Sequence, residues 1–486
     1  MVRAIWLAIF LMLAGSAWAA DLAAVKQAAI GEAEALAPDM ERLARELWQY
    51  SEPSMKEEKS AELLAKYMEK QGFKVERGVA GMKTAFVATW SMGGSGKPVV
   101  GILAEYDALP GVGNEAVPRK QPVGGKITPG HGCGHNLFGA GSVGAAVALK
   151  RAMQKNKVQG TVKLFGCPAE EIAVGKVYMA KAGAFGDLDA VMDWHPHPFT
   201  DVNNISSRAA NIFQVEFYGK TAHSSGDPWN GRSALDAAQL MNMAADMMRE
   251  HVPPTTRIHY VISDGGSAPN VVPDYARVWY FVREVDRESV EKTYQWLVDA
   301  ARGAALMTQT REKVTLISGI YNLNLNRPFQ KAEEKNLQLV GAPKYTQEEQ
   351  AFAKAMQREL GVQEAGFDDT VHALKPAPEP VSGTSTDVGD VSWNAPTVTL
   401  KVATAPAGVP WHSWAVAASG GTSGGMKGAV VAAKVMAATG VDMMMDPDLL
   451  ALAKKAFEES TAGKPYKCAL PADRKEVILP GRTAEK

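Results

Sequence analysis

Short apolar runs that each end in a cluster of titratable residues constrain this chain more than any other feature. Residues 99–104 run into Glu105-Tyr106-Asp107, and residues 161–166 into Cys167-Pro168-Ala169-Glu170-Glu171. Residues 189–194 run into His195-Pro196-His197, and residues 397–402 precede a Gly/Pro loop that reaches His412. Runs of this length, bounded by turn residues, predict buried strands. Between them lie stretches with helical spacing, such as the Ala- and Gly-rich residues 137–153. Strands alternating with helices predict an α/β fold: a mostly parallel sheet with helices on both faces.

From about residue 210 to 322 the texture changes. Residues 211–218 alternate like a strand with one exposed face, and residues 232–250 are amphipathic with helical spacing. Strands over 257–262 and 275–283, a helix over 288–307 and a strand over 313–318 follow. The order β-α-β-β-α-β is the ferredoxin-like motif. It predicts an α+β domain at 210–322 inserted into a discontinuous domain of residues 20–209 and 323–486. A chain of 486 residues suits two such domains. Residues 374–389, rich in Pro, Ser, Thr and Gly, read as a long loop.

The N-terminus has its own logic. Arg3, an apolar run over 4–14 and Ala17-Trp18-Ala19 are the ordered parts of a secretory signal peptide. Residues 1–19 are therefore expected to be removed, leaving a periplasmic or secreted protein. No run of about 20 apolar residues is evident in the rest of the chain, so stable membrane insertion is not expected. With 52 basic and 53 acidic residues intermixed, bulk charge gives no reason to expect a nucleic-acid partner. Three cysteines, Cys133, Cys167 and Cys468, are too few for a disulfide framework, though a Cys167–Cys468 pairing stays open.

In an open α/β sheet, ligands bind beyond the carboxyl ends of the strands. Four of the nine histidines, His131, His135, His195 and His197, fall in two short segments at that edge, beside Cys133. Imidazole, thiolate and carboxylate together suit zinc or a similar divalent ion. The Cys133-Gly134-His135 spacing lets one loop give two donors. A helix beginning near Leu137 would favour the Cys133 thiolate through its N-terminal dipole. Adjacent Glu170 and Glu171 point in divergent directions, so one can ligate a metal while the other moves protons.

The segments Gly101-Ile102-Leu103-Ala104-Glu105-Tyr106-Asp107-Ala108-Leu109-Pro110, Gly130-His131-Gly132-Cys133-Gly134-His135-Asn136 and Gly166-Cys167-Pro168-Ala169-Glu170-Glu171 resemble the M20 metallopeptidase family. Within it they look like the amidohydrolase branch that uses a cysteine ligand. Further agreement comes from Gly219 to His223, Ser267 to Val272, Ser385 to Trp393 and the surroundings of His412. The resemblance implies a zinc-peptidase-like catalytic domain in which Cys133, His135, Glu171, His195 and His412 ligate two divalent ions, zinc or manganese. It makes Glu170 the general base and acid acting on a water activated by the metals. It makes His223 the group that stabilises the oxyanion, in many relatives donated by the partner subunit of a dimer. Asn270 and Arg283 match positions associated with substrate contact, and Asp107 one that orients a ligand. The inserted domain becomes a lid and dimerisation domain. The implied partners are a small amide substrate, an N-acyl or N-aroyl amino acid, and a second subunit in a homodimer or a hetero-oligomer with a paralogue. Rival readings are an aminoacylase or dipeptidase on this scaffold, or an exported metal- or ligand-binding protein without activity.

Two departures stand out. Glu105 occupies the position where the common family pattern has a histidine, and Asn136 replaces an aspartate found in many cysteine-branch members. His131 and His197 carry no ligand role in the implied pattern.

Overall fold

The computed structural model describes residues 22–376, 384–474 and 476–479. The expected export signal lies outside these described residues. Its strands, in chain order, are β1 (Lys74–Arg77), β2 (Phe86–Met92), β3 (Val99–Glu105), β4 (Gly160–Cys167), β5 (Ala190–His197) and β6 (Asp201–Val202). These are followed by β7 (Ala209–Tyr218), β8 (Arg257–Asp264), β9 (Tyr275–Glu284), β10 (Arg311–Ile320) and β11 (Thr397–Ala403).

Seven strands form one sheet in the order β1-β2-β4-β3-β5-β11-β6. Its centre, β4-β3-β5-β11, is parallel. Antiparallel strands β1, β2 and β6 complete the edges. These three escape a reading based on apolar runs because β1 is mostly exposed, β2 is only partly buried and carries Thr89 and Ser91, and β6 has two residues. All of β3 is buried, as expected of a central strand covered on both faces. The helix His135–Asn156 covers one face, and its small residues are a packing requirement. A Cβ at Gly139 would stand 2.8 Å from the Glu105 carbonyl oxygen, and one at Gly141 2.9 Å from the Trp194 ring.

One sequence expectation about this layer is corrected. The helix starts at His135 itself rather than near Leu137, because Gly134 adopts φ +79° and lets the chain enter the helix there. The helix Ser423–Met445 is long and apolar enough in overall composition to cross a membrane, although Lys427, Lys434 and Asp442 interrupt it and it holds no unbroken run of about 20 apolar residues. It is a core helix: 83% of its apolar window is buried inside the protein, and it packs along His135–Asn156.

The other four strands form an antiparallel sheet in the order β10-β7-β9-β8. With the helices Ala234–Met248 and Arg287–Thr308 they make the ferredoxin-like arrangement. Both helices are capped by side chains: Ser233 accepts from the Asp236 N–H and Asp286 from the Ser289 N–H. The loop expected to end at Gly389 stops earlier, since Val388 opens a short helix, Val388–Ser392. All three cysteines are free, which closes the open question of a Cys167–Cys468 bridge.

Candidate metal centre and catalytic site

The carboxyl ends of β3, β4 and β5 converge with two loops. His195 and His197 are the last residues of β5 rather than loop residues. Gly134 lies against Pro196, where a Cβ would come within 2.8 Å of the proline ring, so the cysteine loop is pressed onto the strand end. Cys133 Sγ is 3.5 Å from His195 Nε2. The Nδ1 of His195 is 2.7 Å from the Pro196 carbonyl and donates to it, which leaves the Nε2 lone pair facing Cys133. His135 follows the same rule. Its Nδ1 donates to Asp107 Oδ1 at 3.0 Å, and Asp107 Oδ2 accepts from Ser54 Oγ (2.7 Å) and the Glu171 N–H (2.9 Å). His135 Nε2 then lies 3.2 Å from Glu105 Oε2 and 3.9 Å from Glu170 Oε2.

Glu170 and Glu171 ride on a single 3-10 turn, Glu170–Ile172. The turn is bracketed by Ala169 and Ala173, both left-handed at φ 58° and 52°. Non-glycine residues held there store backbone strain, and the surroundings must over-determine them. One restraint is the Ala169 N–H, which donates to buried Glu57 Oε1 at 2.9 Å. Glu171 Oε2 is 3.6 Å from His412 Nε2. His412 is left-handed as well, at φ 58°, fixed by its N–H donating to the Gly132 carbonyl at 3.0 Å. Three overlapping groups of donor atoms result, each with its atoms within 4.8 Å of one another: Cys133/His135/His195, Cys133/Glu171/His412 and Glu105/His135/Glu170. Cys133 belongs to two of them, and so does His135.

Whether a divalent cation fits can be judged from unmet hydrogen bonding and charge. Buried His135 Nε2, Glu105 Oε2 and Glu171 Oε1 have no hydrogen-bond partner. Unpaired buried polar atoms are rare and costly, and here His135 Nε2 and Glu105 Oε2 lie 3.2 Å apart while Glu171 Oε1 lies 3.9 Å from His135 Nδ1. Burial pushes Cys133 up to about 12, with Glu171 adding to it, against the pull of the helix N-terminus towards the thiolate. Burial also raises Glu171 to about 8, and raises Glu170 well above the carboxylate range with help from Glu105 and Asp387. Negative charge is tolerated in such a place only beside a compensating cation. Burial meanwhile lowers His195 to about 4, so its imidazole is neutral and offers a lone pair. The donor set fits a divalent ion.

The remaining candidates fall in three places. Arg283, on β9, reaches towards the centre: its charge acts on both Glu170 and His412, and its Nη1 donates to Ser385 Oγ at 3.3 Å. Its Nε is buried without a partner. His223 and Asn270 stand outside the donor groups, in adjoining exposed loops of the small domain where the Ser224 N–H donates to the Asn270 carbonyl at 3.1 Å. His223 Nδ1 accepts from the N–H groups of Ser225 (3.1 Å) and Gly226 (3.0 Å), which puts the ring proton on Nε2. His131 is buried with Nε2 3.0 Å from the Leu47 carbonyl, Asn136 ties Ala44 to Gly420, and His197 packs against Phe199 and Trp411.

Sequence reasoning passes over Lys176. Its Nζ lies 2.6 Å from Glu105 Oε1 and 2.6 Å from Asp387 Oδ1, with all three side chains buried. The burial of Lys176 would lower its pKa, but Asp387 and Glu105 raise it well above the lysine value. The available signal is a lysine in the short, mostly apolar helix directly after the Glu-Glu turn.

Residues 205–306 match the model of the M20 peptidase dimerisation domain. The chain is 36% identical over 469 residues to one of the subunits of p-aminobenzoyl-glutamate hydrolase from Escherichia coli, covering 90% of this chain and 96% of that one. It is 32% identical to the Xaa-Arg dipeptidase of Mus musculus over 303 residues, 60% of this chain and 66% of that one. The fold is shared with the YXEP protein of Bacillus subtilis, a dinuclear metal binding peptidase from the M20 family. There the TM-score is 0.55 at 18% identity, covering 85% of this chain and 99% of that one. Similarity across nearly the whole of both chains, together with the matched domain, shows that this chain belongs to the M20 metallopeptidase family.

Proposed function

We propose that the protein is a two-ion amidohydrolase that cleaves the amide bond of an N-acyl or N-aroyl amino acid, with p-aminobenzoyl-glutamate as the leading candidate. The observation that carries this reading is the set of unpaired donor atoms on Glu105, His135 and Glu171 beside a Glu170 that feels the charge of Arg283. Cys133, His135 and His195 would hold one ion, and Cys133, Glu171 and His412 the other. Zinc or manganese bound there supplies Lewis acidity towards the carbonyl and an acidified water.

The chain's own groups do the rest. Glu170, kept well above the usual carboxylate range by burial, takes a proton from the attacking water and returns it to the leaving nitrogen. The outward Nε2–H of His223 donates to the developing oxyanion. Because His223 lies outside the donor groups, it acts after closure of the 210–322 lid domain, or from a second copy of the chain. Arg283 clamps a substrate carboxylate bidentately, and Asn270 adds a polar contact. The dimerisation-domain match supports an oligomer: a homodimer, or a hetero-oligomer with a paralogous chain. The N-terminal pattern supports export to the periplasm or beyond, with the catalytic domain made of residues 20–209 and 323–486.

The test is a hydrolysis panel on metal-reconstituted protein: aroyl-glutamates, N-acyl amino acids and dipeptides, with Glu170→Gln as the blank. Cleavage of aroyl-glutamate, with a loss of about 10²–10⁴-fold in the variant at unchanged metal content, is the expected result. Preference for dipeptides would move the assignment to a dipeptidase, in line with the Xaa-Arg relative. No cleavage of any amide, or an active Glu170→Gln, would remove the proposal.

A further inference from the structure

We infer that Lys176 is a positioning residue for the metal centre: clamped by Asp387, its ammonium holds Glu105 so that Oε2 is presented beside His135 as a further donor to an ion. The inference rests on reading the cluster as a metal centre.

The arrangement joins three separate segments. Glu105 ends β3, Lys176 lies in the helix Gly175–Lys181 just after the Glu170–Ile172 turn, and Asp387 precedes the helix Val388–Ser392. Lys176 Nζ is 2.6 Å from Glu105 Oε1 and 2.6 Å from Asp387 Oδ1, while Asp387 Oδ2 accepts the Lys176 N–H at 2.8 Å. Both oxygens of Asp387 are therefore engaged, and it fixes the lysine by both backbone and side chain. Glu105 is engaged by a donor through one oxygen only. Its Oε2 is buried without a hydrogen-bond partner, 3.2 Å from His135 Nε2 and grouped with Glu170.

A lysine serving stability alone gives no reason for this asymmetry. Buried ion pairs seldom stabilise more than apolar residues of the same volume, so three buried charges are weak candidates for a purely structural device. A carboxylate locked through one oxygen, with the other aimed past an imidazole lone pair, is what supports a metal ligand. The compact ammonium suits the task, since it neutralises two carboxylates on different elements without the planar demand of a guanidinium.

The experiment measures metal binding directly, by competition with a chromophoric zinc chelator, alongside thermal unfolding and kcat and KM on the best substrate. Lys176→Met should weaken zinc binding roughly tenfold or more, the range seen for residues that support ligands, and lower kcat more than KM. That variant leaves two buried carboxylates unpaired, so the triple variant Lys176→Met/Glu105→Gln/Asp387→Asn removes the stranded charge and restores folding. It should still bind zinc weakly. Glu105→Gln alone, which keeps Lys176 paired with Asp387, should show the same loss. Wild-type affinity in either Glu105→Gln or the folded triple variant overturns the inference and leaves the metal centre standing. Wild-type protein that binds no zinc, manganese or cobalt overturns the metal centre, and this inference with it.

Discussion

Two buried glutamates, one in each sheet, end their strands in the same way and are finished differently. Glu284 closes β9 of the small sheet and Glu105 closes β3 of the large one, both 1% exposed. Around Glu284 stand three threonine hydroxyls: Thr255 donates to Oε2 at 3.2 Å, Thr256 donates to Oε1, and Thr293, whose one proton is shared with the Ser289 carbonyl at 3.3 Å, lies 3.5 Å from Oε1. Both oxygens are satisfied by neutral donors, and the group is closed to anything else. Glu105 receives one ammonium on one oxygen, while the other meets only the His135 Nε2 at 3.2 Å and no hydrogen-bond donor of fixed proton. A fully satisfied buried carboxylate rigidifies a core; a half-satisfied one costs free energy unless something else completes it. The difference separates a region built for architecture from one built to receive a ligand.

The largest effect that tests this contrast is expected at Cys133. It is the donor shared by both proposed ion positions, and Cys133→Ala removes little volume. The variant should keep its fold and lose both ions. Turnover should fall by more than the ten- to hundredfold typical of residues that merely support a ligand. Elemental analysis together with circular dichroism checks the pair of outcomes. A variant that keeps two ions per chain would mean that the open atoms on Glu105, His135 and Glu171 serve another purpose.

The same contrast explains what is legible in the sequence. Strands β3, β4, β5 and β11 announce themselves because a buried parallel strand needs a mostly apolar run. Strands β7 to β10 do so through their order with two capped helices. Edge strands β1 and β6 carry no such pattern and become visible only through pairing with β2 and β11. Donors such as Cys133 and His195 stand out because strand ends expose unusual residue types in short motifs. The Lys176 clamp is silent by comparison: its partners are 71 and 211 residues away, and no local spacing encodes either. His131, given no ligand role by the family pattern, shows that residue type alone does not make chemistry. Its loop is that of a ligand, yet its Nε2 is taken by the Leu47 carbonyl 84 residues earlier. The apolar helix Ser423–Met445 escapes notice because glycines and lysines interrupt it.

A smaller, pH-dependent effect is expected where the two regions meet. Asp390 accepts from the Tyr321 N–H just after β10 at 3.1 Å, and from Tyr466 Oη in the C-terminal segment at 2.6 Å. Burial raises its carboxyl to about 7 from an ordinary 3.8, against the lowering influence of those hydrogen bonds. The native state therefore keeps a proton that the unfolded chain releases near pH 4. Stability from this group is present below about pH 4 and drains away as pH rises to about 7, with no further change above. Asp390→Asn mimics the protonated acid and lacks that slope. Relative to wild type it should gain of order 2–4 kcal/mol between pH 4 and 7.5, read as the difference between two urea titrations. A gap that stays constant with pH would show that Asp390 is ionised in the folded protein.

The smallest effect belongs to the closed glutamate. Thr256→Val keeps the shape of the side chain and takes one hydroxyl from Glu284, leaving Thr293 as the remaining donor to that oxygen at 3.5 Å. Leaving a buried charged acceptor short of a partner costs about 1–3 kcal/mol. Unfolding should therefore shift to lower urea concentration while metal content, kcat and KM stay at wild-type values. The small sheet would then be architecture whose polar groups matter to stability alone. If Thr256→Val instead altered kcat, Glu284 would be coupled to the centre through β9, which also carries Arg283 one residue earlier. The contrast between the two glutamates would then be one of degree rather than kind.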